Sequence, residues 1–263
     1  MSEPAPLPLR VLGARAQQAR DPLALERLLE TLSGDARAGA AVLAERIARR
    51  LVAVRREQAR LAGLFALRER LRAAGALHVA GVDEVGMGPL AGPVVAAAVI
   101  LPERVDLPGL GDSKQLSPRV RERLAAAIRV QALAVAVGEV SAAELDRWNV
   151  YRAGLEAMRR AVVSLVLPPQ HLLVDARTIP GVGCPQTPLV KGDARDGSIA
   201  AASIVAKVHR DALMRRLDDE HPGYGFARHM GYGTPEHLAA LRRLGLCREH
   251  RRSFAPCAAV APA

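Results

Sequence analysis

Two adjacent carboxylates, Asp83 and Glu84, stand where an apolar run gives way to Gly86, Gly88 and Gly92 in VAGVDEVGMGPLAGP, residues 79–93. Glycines let a backbone approach a ligand closely, and acids this near one another need protons or a cation between them. Two further acids share the setting. Asp175 closes the apolar stretch HLLVDA, residues 171–176, and Asp193 follows a lysine and a glycine in LVKGD. If the four converge, two hard cations about 3.5–4 Å apart would neutralise them and clamp the attacking and leaving oxygens of an in-line phosphoryl displacement. With no cluster of cysteine or histidine to compete, Mg²⁺ or Mn²⁺ suits the set best. The residues alone fit four scattered, solvated acids equally well.

Composition narrows the partners. The chain has 263 residues, half of them hydrophobic, and a formal net charge of +10, which suits an α/β domain with an appendage and favours a polyanionic partner. Only Lys114, Lys191 and Lys207 among the 37 basic residues are lysines. A compact ammonium and a planar guanidinium do not substitute freely in a tight site, so lysines kept in an arginine-using chain mark candidate positions. Cys184, Cys247 and Cys257 form no CxxC pair, which predicts a reducing compartment. The start MSEPAPLPLR lacks the apolar core of a secretion signal, and no apolar run reaches membrane-spanning length. The expected location is the cytoplasm.

These residues need elements to position them. Residues 1–75 read as a separate helical segment: Asp21-Pro22 starts one helix, Ser33-Gly34-Asp35 breaks it, and Ala38 to Ala73 reads as one long amphipathic helix. That segment either packs on the body or lays its arginines on phosphates. A strand from Leu77 to Val82 leads into the acid pair, and Val94 to Leu101 and Leu133 to Val140 read as further strands. Ser117-Pro118, Ser141 with Glu144, and Asn149 start helices, and Pro168-Pro169 stops the last of them. His171 to Ala176 is a strand, and Leu189 to Asp193 a brief extended stretch. A helix then runs from about Ser198 through Arg216, its N-terminal amides aimed back at Asp193, with Asp196 as its cap. Thr234-Pro235 caps a last helix that Gly245 ends. Asp112 and Ser113 read as loop-holding residues, Lys207 as either a site or a structural lysine, and Tyr224, Phe226 and Trp148 as packing residues. His209, His229 and His237 read as ordinary. REHRRSF, Arg248 to Phe254, reads as a basic surface run before a loose tail.

AGVDEVGMGPLAGPVVAAAVIL closely resembles the opening motif of the bacterial type 2 ribonuclease H family, ribonuclease HII. So do GLGDSKQLS, LLVDA, VKGD with SIAAASIVAKVHRD, and YGFARHMGYGTPEH with HRRSF, in register from Leu77 to Phe254. The resemblance implies an α/β fold, a ribonuclease-H-like mixed β-sheet flanked by helices, with helical N-terminal and C-terminal additions. The implied organisation is a helical extension at 1–75, a catalytic core at 76–220, and a C-terminal helical part at 221–263 with a substrate-contacting loop. It implies a metal-dependent endonuclease that cuts the RNA strand of RNA/DNA hybrids and cleaves 5′ of ribonucleotides embedded in duplex DNA. The expected substrate is therefore a hybrid or a mixed duplex, the expected state a monomer, and no membrane is involved.

By matching motifs, the metal ligands fall on Asp83, Glu84, Asp175 and Asp193, and the aromatic that packs on the sugar beside the cut falls on Tyr232. The loop whose backbone reads the ribose 2′-hydroxyl falls on Gly86, Met87 and Gly88, and phosphate contacts fall on Lys114 and Lys191. The sequence departs from the family at two positions. Residue 87 is usually arginine and residue 230 usually lysine, and both are methionine here. The acids and glycines remain, so the expectation is an active nuclease with a weakened grip on phosphate or an altered junction preference. The alternative from another class is a hybrid-binding protein that has lost most turnover through Met87 and Met230.

Overall fold

The computed structural model describes residues 7–260. Contacts divide the chain into two compact units, Met1–Gly63 and Leu64–Ala263. This division and the sequence boundary at residue 75 differ by one short helix. Residues 1–6, part of the start expected to lack a secretion signal, lie outside the described residues.

In the first unit, Asp21 accepts a hydrogen bond from the Leu23 amide at 3.2 Å and Pro22 opens the helix, as the sequence predicts. Helices α1 (Leu9–Gln18), α2 (Pro22–Leu32) and α3 (Ala40–Leu64) bury Leu12, Ala16, Leu25, Leu32, Leu43, Ile47 and Leu51 together. The four-residue spacing of 43, 47 and 51 puts those side chains on one stripe and leaves Arg46, Arg49 and Arg56 exposed.

The expected single helix from Ala38 to Ala73 is interrupted at Phe65, and α4 (Ala66–Ala73) belongs to the second unit. Phe65 is buried, and its ring lies where any side chain at residue 197 would stand, 2.3 Å from a Cβ built on Gly197. Packing of that ring, rather than helix propensity, sets the break.

The second unit is built on a five-stranded mixed sheet in the order β3-β2-β1-β4-β5. Its strands are β1 (Val79–Val85), β2 (Val94–Ile100), β3 (Ala134–Val140), β4 (His171–Asp175) and β5 (Gln186–Leu189). The first three are antiparallel, while β4 and β5 continue parallel to β1. VVAAAVI is buried along its whole length because helices cover both faces of β2. Helix α5 (Pro118–Gln131), capped by Ser117, precedes β3, and α6 (Ala142–Arg147) opens with the predicted capping box of Ser141 and Glu144. On one face lies α7 (Val150–Val163), capped by Asn149. On the other lies α9 (Gly197–Glu220), which approaches so closely that a Cβ on Gly81 would sit 2.0 Å from the Ser198 carbonyl carbon. Only glycine fits there.

Several expectations are corrected. β1 does not stop at Val82: Asp83 and Glu84 lie inside it, paired in register with Ala97 and Ala96. The stretch Leu189 to Asp193 is not extended. Lys191 is left-handed with φ 57°, and α8 (Gly192–Arg195) follows at once, because Gly192 donates its amide to Asp175 at 2.7 Å and folds the chain back. The N-terminus of α9 is closed by buried Asp196, which accepts from Ser198 and Ile199, so its first amides are not presented to a ligand. Trp148 is exposed at the end of α6, whereas Tyr224 and Phe226 are buried and stacked 5.2 Å apart. The C-terminal part adds α10 (Phe226–His229), α11 (Pro235–Leu244) and α12 (Ala255–Ala258). The tail is ordered as far as α12, where Cys257 is buried, and residues 261–263 lie outside the described residues.

The basic run REHRRSF is not simply a surface feature. Arg251 is fully buried and donates to the carbonyls of Gly86 (2.6 Å), Met87 (3.0 Å) and Gly92 (2.8 and 3.0 Å). Arg210, equally buried, donates to Ala91, Pro93 and Met230 at 3.0–3.1 Å. Two guanidiniums thus shape the glycine loop through its carbonyl dipoles. A lysine offers no such planar fork. Arg251→Lys is therefore expected to lose roughly 3 kcal/mol or more in chemical denaturation, through carbonyls left unpaired. A loss below about 1 kcal/mol would contradict this role.

Candidate active site

The sheet itself brings the acids together. β1 and β4 run parallel with Val82 opposite Val174, so the next residue on each strand is an acid, Asp83 beside Asp175. Along β1 the side chains alternate. Gly81 meets α9, and Ala80 and Val82 pack in the core under α7, which turns Asp83 toward α9 and Glu84 toward α7. At the open end of the strands both still reach Asp175. One carboxylate oxygen each from Asp83, Glu84 and Asp175 lies within 4.8 Å of the others.

This arrangement is costly without positive charge. Burial, then the neighbouring Glu84 charge, pushes the Asp83 carboxyl well above the ordinary range. Burial raises Glu84 too, partly offset by Arg177, and burial raises Asp175 against the Gly192 amide that steadies its charged form. Glu84 Oε2 is buried with no hydrogen-bond donor. Three oxygen donors and a bare carboxylate oxygen fit a hard divalent cation by number and chemistry.

Asp193 stands apart from that trio. It is buried on α8, close enough for its charge to raise Asp175, and accepts from Lys114 Nζ at 3.4 Å. Lys114 thus reaches the acids from the 3-10 turn Ser113–Gln115, where Asp112 accepts from its amide at 2.9 Å. Ser113 does not hold its own loop: its hydroxyl meets Ser203 of α9 at 2.9 Å, and Ser203 in turn favours the ionised form of Asp83. Lys191 is exposed and contributes the left-handed turn rather than a contact to the trio. Lys207 pairs with Asp211 at 2.6 Å, a structural role.

The glycine loop and the Tyr232 loop form the second wall. Leu90 donates to the Gly231 carbonyl at 2.8 Å, and a Cβ on Gly88 would lie 3.8 Å from Cε1 of half-exposed Tyr232. Met87 is half-buried against the core beneath α7, and Met230 takes a left-handed turn with its carbonyl on Arg210.

Of the histidines read as ordinary from sequence, His209 pairs with Glu139 at 2.6 Å, while His229 and His237 join His250 in this wall. A carbonyl only accepts, so His237 Nδ1 must donate to Tyr232 at 2.9 Å, leaving its Nε2 to accept from His250 Nε2 at 3.1 Å. His250 Nδ1 then accepts from the Cys247 amide at 3.0 Å. His229 lies stacked on His237 at 4.4 Å, donates to Tyr224 and accepts from Gly231. Each ring is neutral in this order of protons, and burial holds His237 below its usual range and His250 down at about 4. No single residue in the sequence signals these long-range partners.

The chain matches known proteins in both sequence and fold. The family model for ribonuclease HII matches residues 80–257. Ribonuclease HII of Geobacillus thermodenitrificans (strain NG80-2) is 61% identical over 193 residues, 73% of this chain and 74% of that one. Ribonuclease HII of Myxococcus xanthus (strain DK1622) is 55% identical over 230 residues, 87% of this chain and 78% of that one. That match is longer than the stretch from Ala80 to the chain's end, so it extends into the N-terminal helices. The crystal structure of ribonuclease H2 from Pyrococcus horikoshii OT3 superposes with a TM-score of 0.62 at 28% identity, covering 69% of this chain and 96% of that one.

The raised carboxyls carry a stability consequence. Their folded-state affinity for protons exceeds the unfolded value, so their stabilising contribution is present at low pH and is lost as pH rises through the raised pKa. Near neutrality, without cations, the trio opposes folding. In chelator at pH 7, Asp83→Asn is expected to raise the melting temperature by about 2–5 °C. Mn²⁺ should raise the melting temperature of the native chain and have little effect on the variant. A variant less stable than the native chain in chelator would contradict the electrostatic account.

Proposed function

The chain belongs to the ribonuclease HII family and is a metal-dependent endonuclease of the ribonuclease H type, and on that premise we propose that it cuts the RNA strand of RNA/DNA hybrids and cleaves 5′ of ribonucleotides embedded in duplex DNA. The observation that carries this reading is the convergence of Asp83, Glu84 and Asp175 within 4.8 Å at the end of β1 and β4. In it Asp83, Glu84, Asp175 and Asp193 would hold two Mg²⁺ or Mn²⁺ ions. When bound, such ions supply Lewis acidity to the scissile phosphate, a nucleophilic water and stabilisation of the leaving 3′-oxygen.

The chain's own residues do the rest. Main-chain amides of Gly86, Met87 and Gly88 read the ribose 2′-hydroxyl, held at the right depth by the Arg251 fork on the loop's carbonyls. Tyr232 packs on the sugar beside Gly88, and its carbonyl is fixed by His237. Lys114, with its side chain largely exposed beside Asp193, meets a phosphate, and Lys191 a more distant one. A binder without turnover is not favoured, because all four acids are present and the relatives at 55–61% identity are ribonucleases HII.

In the first unit the exposed Arg46, Arg49 and Arg56 add phosphate contacts without sequence choice. The working form is a cytoplasmic monomer. Among the described residues no helix is long and apolar enough to cross a membrane.

Incubated with a duplex carrying one ribonucleotide, the full chain is expected to cut 5′ of it in Mg²⁺ or Mn²⁺. Asp83→Asn should lower turnover at least about a thousandfold. Hydrolysis that persists in chelator would refute the reading. Removing residues 1–63 should flatten the salt dependence of duplex binding by about one phosphate contact or more, while an unchanged slope would assign that segment a structural role.

A further inference from the structure

Arg177 lies two residues beyond Asp175, past a corner at Ala176 with φ 54°, a left-handed conformation that a side chain makes costly. The corner brings the guanidinium onto α7. Its carbon sits 5.0 Å above the Tyr151 ring, and Nη1 stands 3.0 Å from where a Cβ on Gly154 would be. Met87 Sδ occupies the same floor, 2.9 Å from that point. Residue 154 has no side chain, and the two side chains share the space this leaves.

The guanidinium is poorly satisfied. Its nearest counter-charge, Glu84 Oε1, is 3.7 Å from Nη1, beyond hydrogen-bonding length. Nη1 is buried with no acceptor, and Glu84 Oε2 is buried with no donor. Neither group completes the other. A buried donor left unpaired costs about 1–3 kcal/mol, and such exceptions gather where a ligand supplies the partner. For a carboxylate that partner is a cation. For a guanidinium it is an anion, and the planar fork is best matched by phosphate or carboxylate. The Arg177 side chain remains 23% exposed beside the acid cluster, where a polyanionic strand must pass to be cut.

We propose that Arg177 grips a phosphodiester of the substrate strand next to the acid cluster, supplying from the end of β4 the charge that Met87 does not. The proposal rests on the ribonuclease reading for the identity of the anion. It revises the expectation of a weakened grip: the cation sits on the same α7 floor as Met87 but is carried by another strand. Tyr151 and Gly154 act as its seat, one by stacking and the other by leaving room.

The test is equilibrium binding of the full chain, in the non-cleaving Asp83→Asn background, to a duplex with one ribonucleotide across a range of salt. Arg177→Ala is expected to weaken binding about tenfold and to reduce the slope of log affinity against log salt by about one. Arg177→Lys should keep most of the slope. Met87→Arg added to Arg177→Ala should restore affinity and slope together, and should gain less in the presence of Arg177. A role confined to neutralising Glu84 predicts an unchanged slope and no rescue from position 87, and that result would overturn the proposal. So would full affinity in Arg177→Gln with an unaltered melting temperature. Cleavage by the parent chain is scored separately: an Arg177-dependent slope in a parent that does not cut would overturn the nuclease reading and leave the phosphate grip standing.

Discussion

Three carboxylates held within 4.8 Å of one another, one of them buried, are the constraint around which the second unit is built. Like charges at that separation and depth repel strongly, and loss of water makes each harder to ionise. They persist because the sheet leaves them no choice. Parallel pairing of β1 with β4 fixes Asp83 beside Asp175, and the strand's alternation sends Glu84 to the other face while its end stays open. The tight contact of Gly81 with α9 locks that register from one side, and the α7 core locks it from the other. Strain that the fold could have relieved by moving an acid outward is instead relieved by whatever cation enters.

A second theme is how the walls of the site are fixed without exposed machinery. Two buried arginines grip loop carbonyls rather than acids, so the glycine loop is shaped through its backbone dipoles. The neutral histidines do the same for the Tyr232 loop through one ordered chain of hydrogen bonds. Both devices work on main-chain atoms. That explains how methionine can stand at 87 and 230, where the motif resemblance leads one to expect basic residues, without dismantling the loops. The carbonyls of both residues are used by Arg251 and Arg210, whatever their side chains are.

Much of this was legible in the sequence, for identifiable reasons. Caps carry local chemistry, so Asp21, Ser117, Ser141, Asn149, Asp196 and Thr234 all mark helix starts correctly. Short apolar runs ending in acids mark β1 and β4, and with the motif resemblance they give the mixed sheet and its nuclease chemistry. What was not legible depends on distant partners. Nothing local in REHRRSF distinguishes Arg251, fully buried, from Arg252, which is exposed. The break at Phe65 needs Gly197, and the neutral state of His250 needs His237 and Cys247. The turn at Lys191 is a further case, since an apparent strand is folded back by the Asp175 carboxylate, which takes the amide of Gly192 seventeen residues later in the chain. Arg177 carries no sequence signal, since a lone arginine in a basic chain has no pattern; its unpaired nitrogen and its seat on Tyr151 single it out.

The acid trio is crowded enough to hold protons that a divalent ion must displace. Proton release on Mn²⁺ binding, measured calorimetrically at about pH 6 in buffers of different ionisation enthalpy, tests it most directly. The account predicts net release from the native chain, growing as pH is lowered, and a smaller release from Asp83→Asn. Binding with no release, or the same release from both proteins, would contradict it.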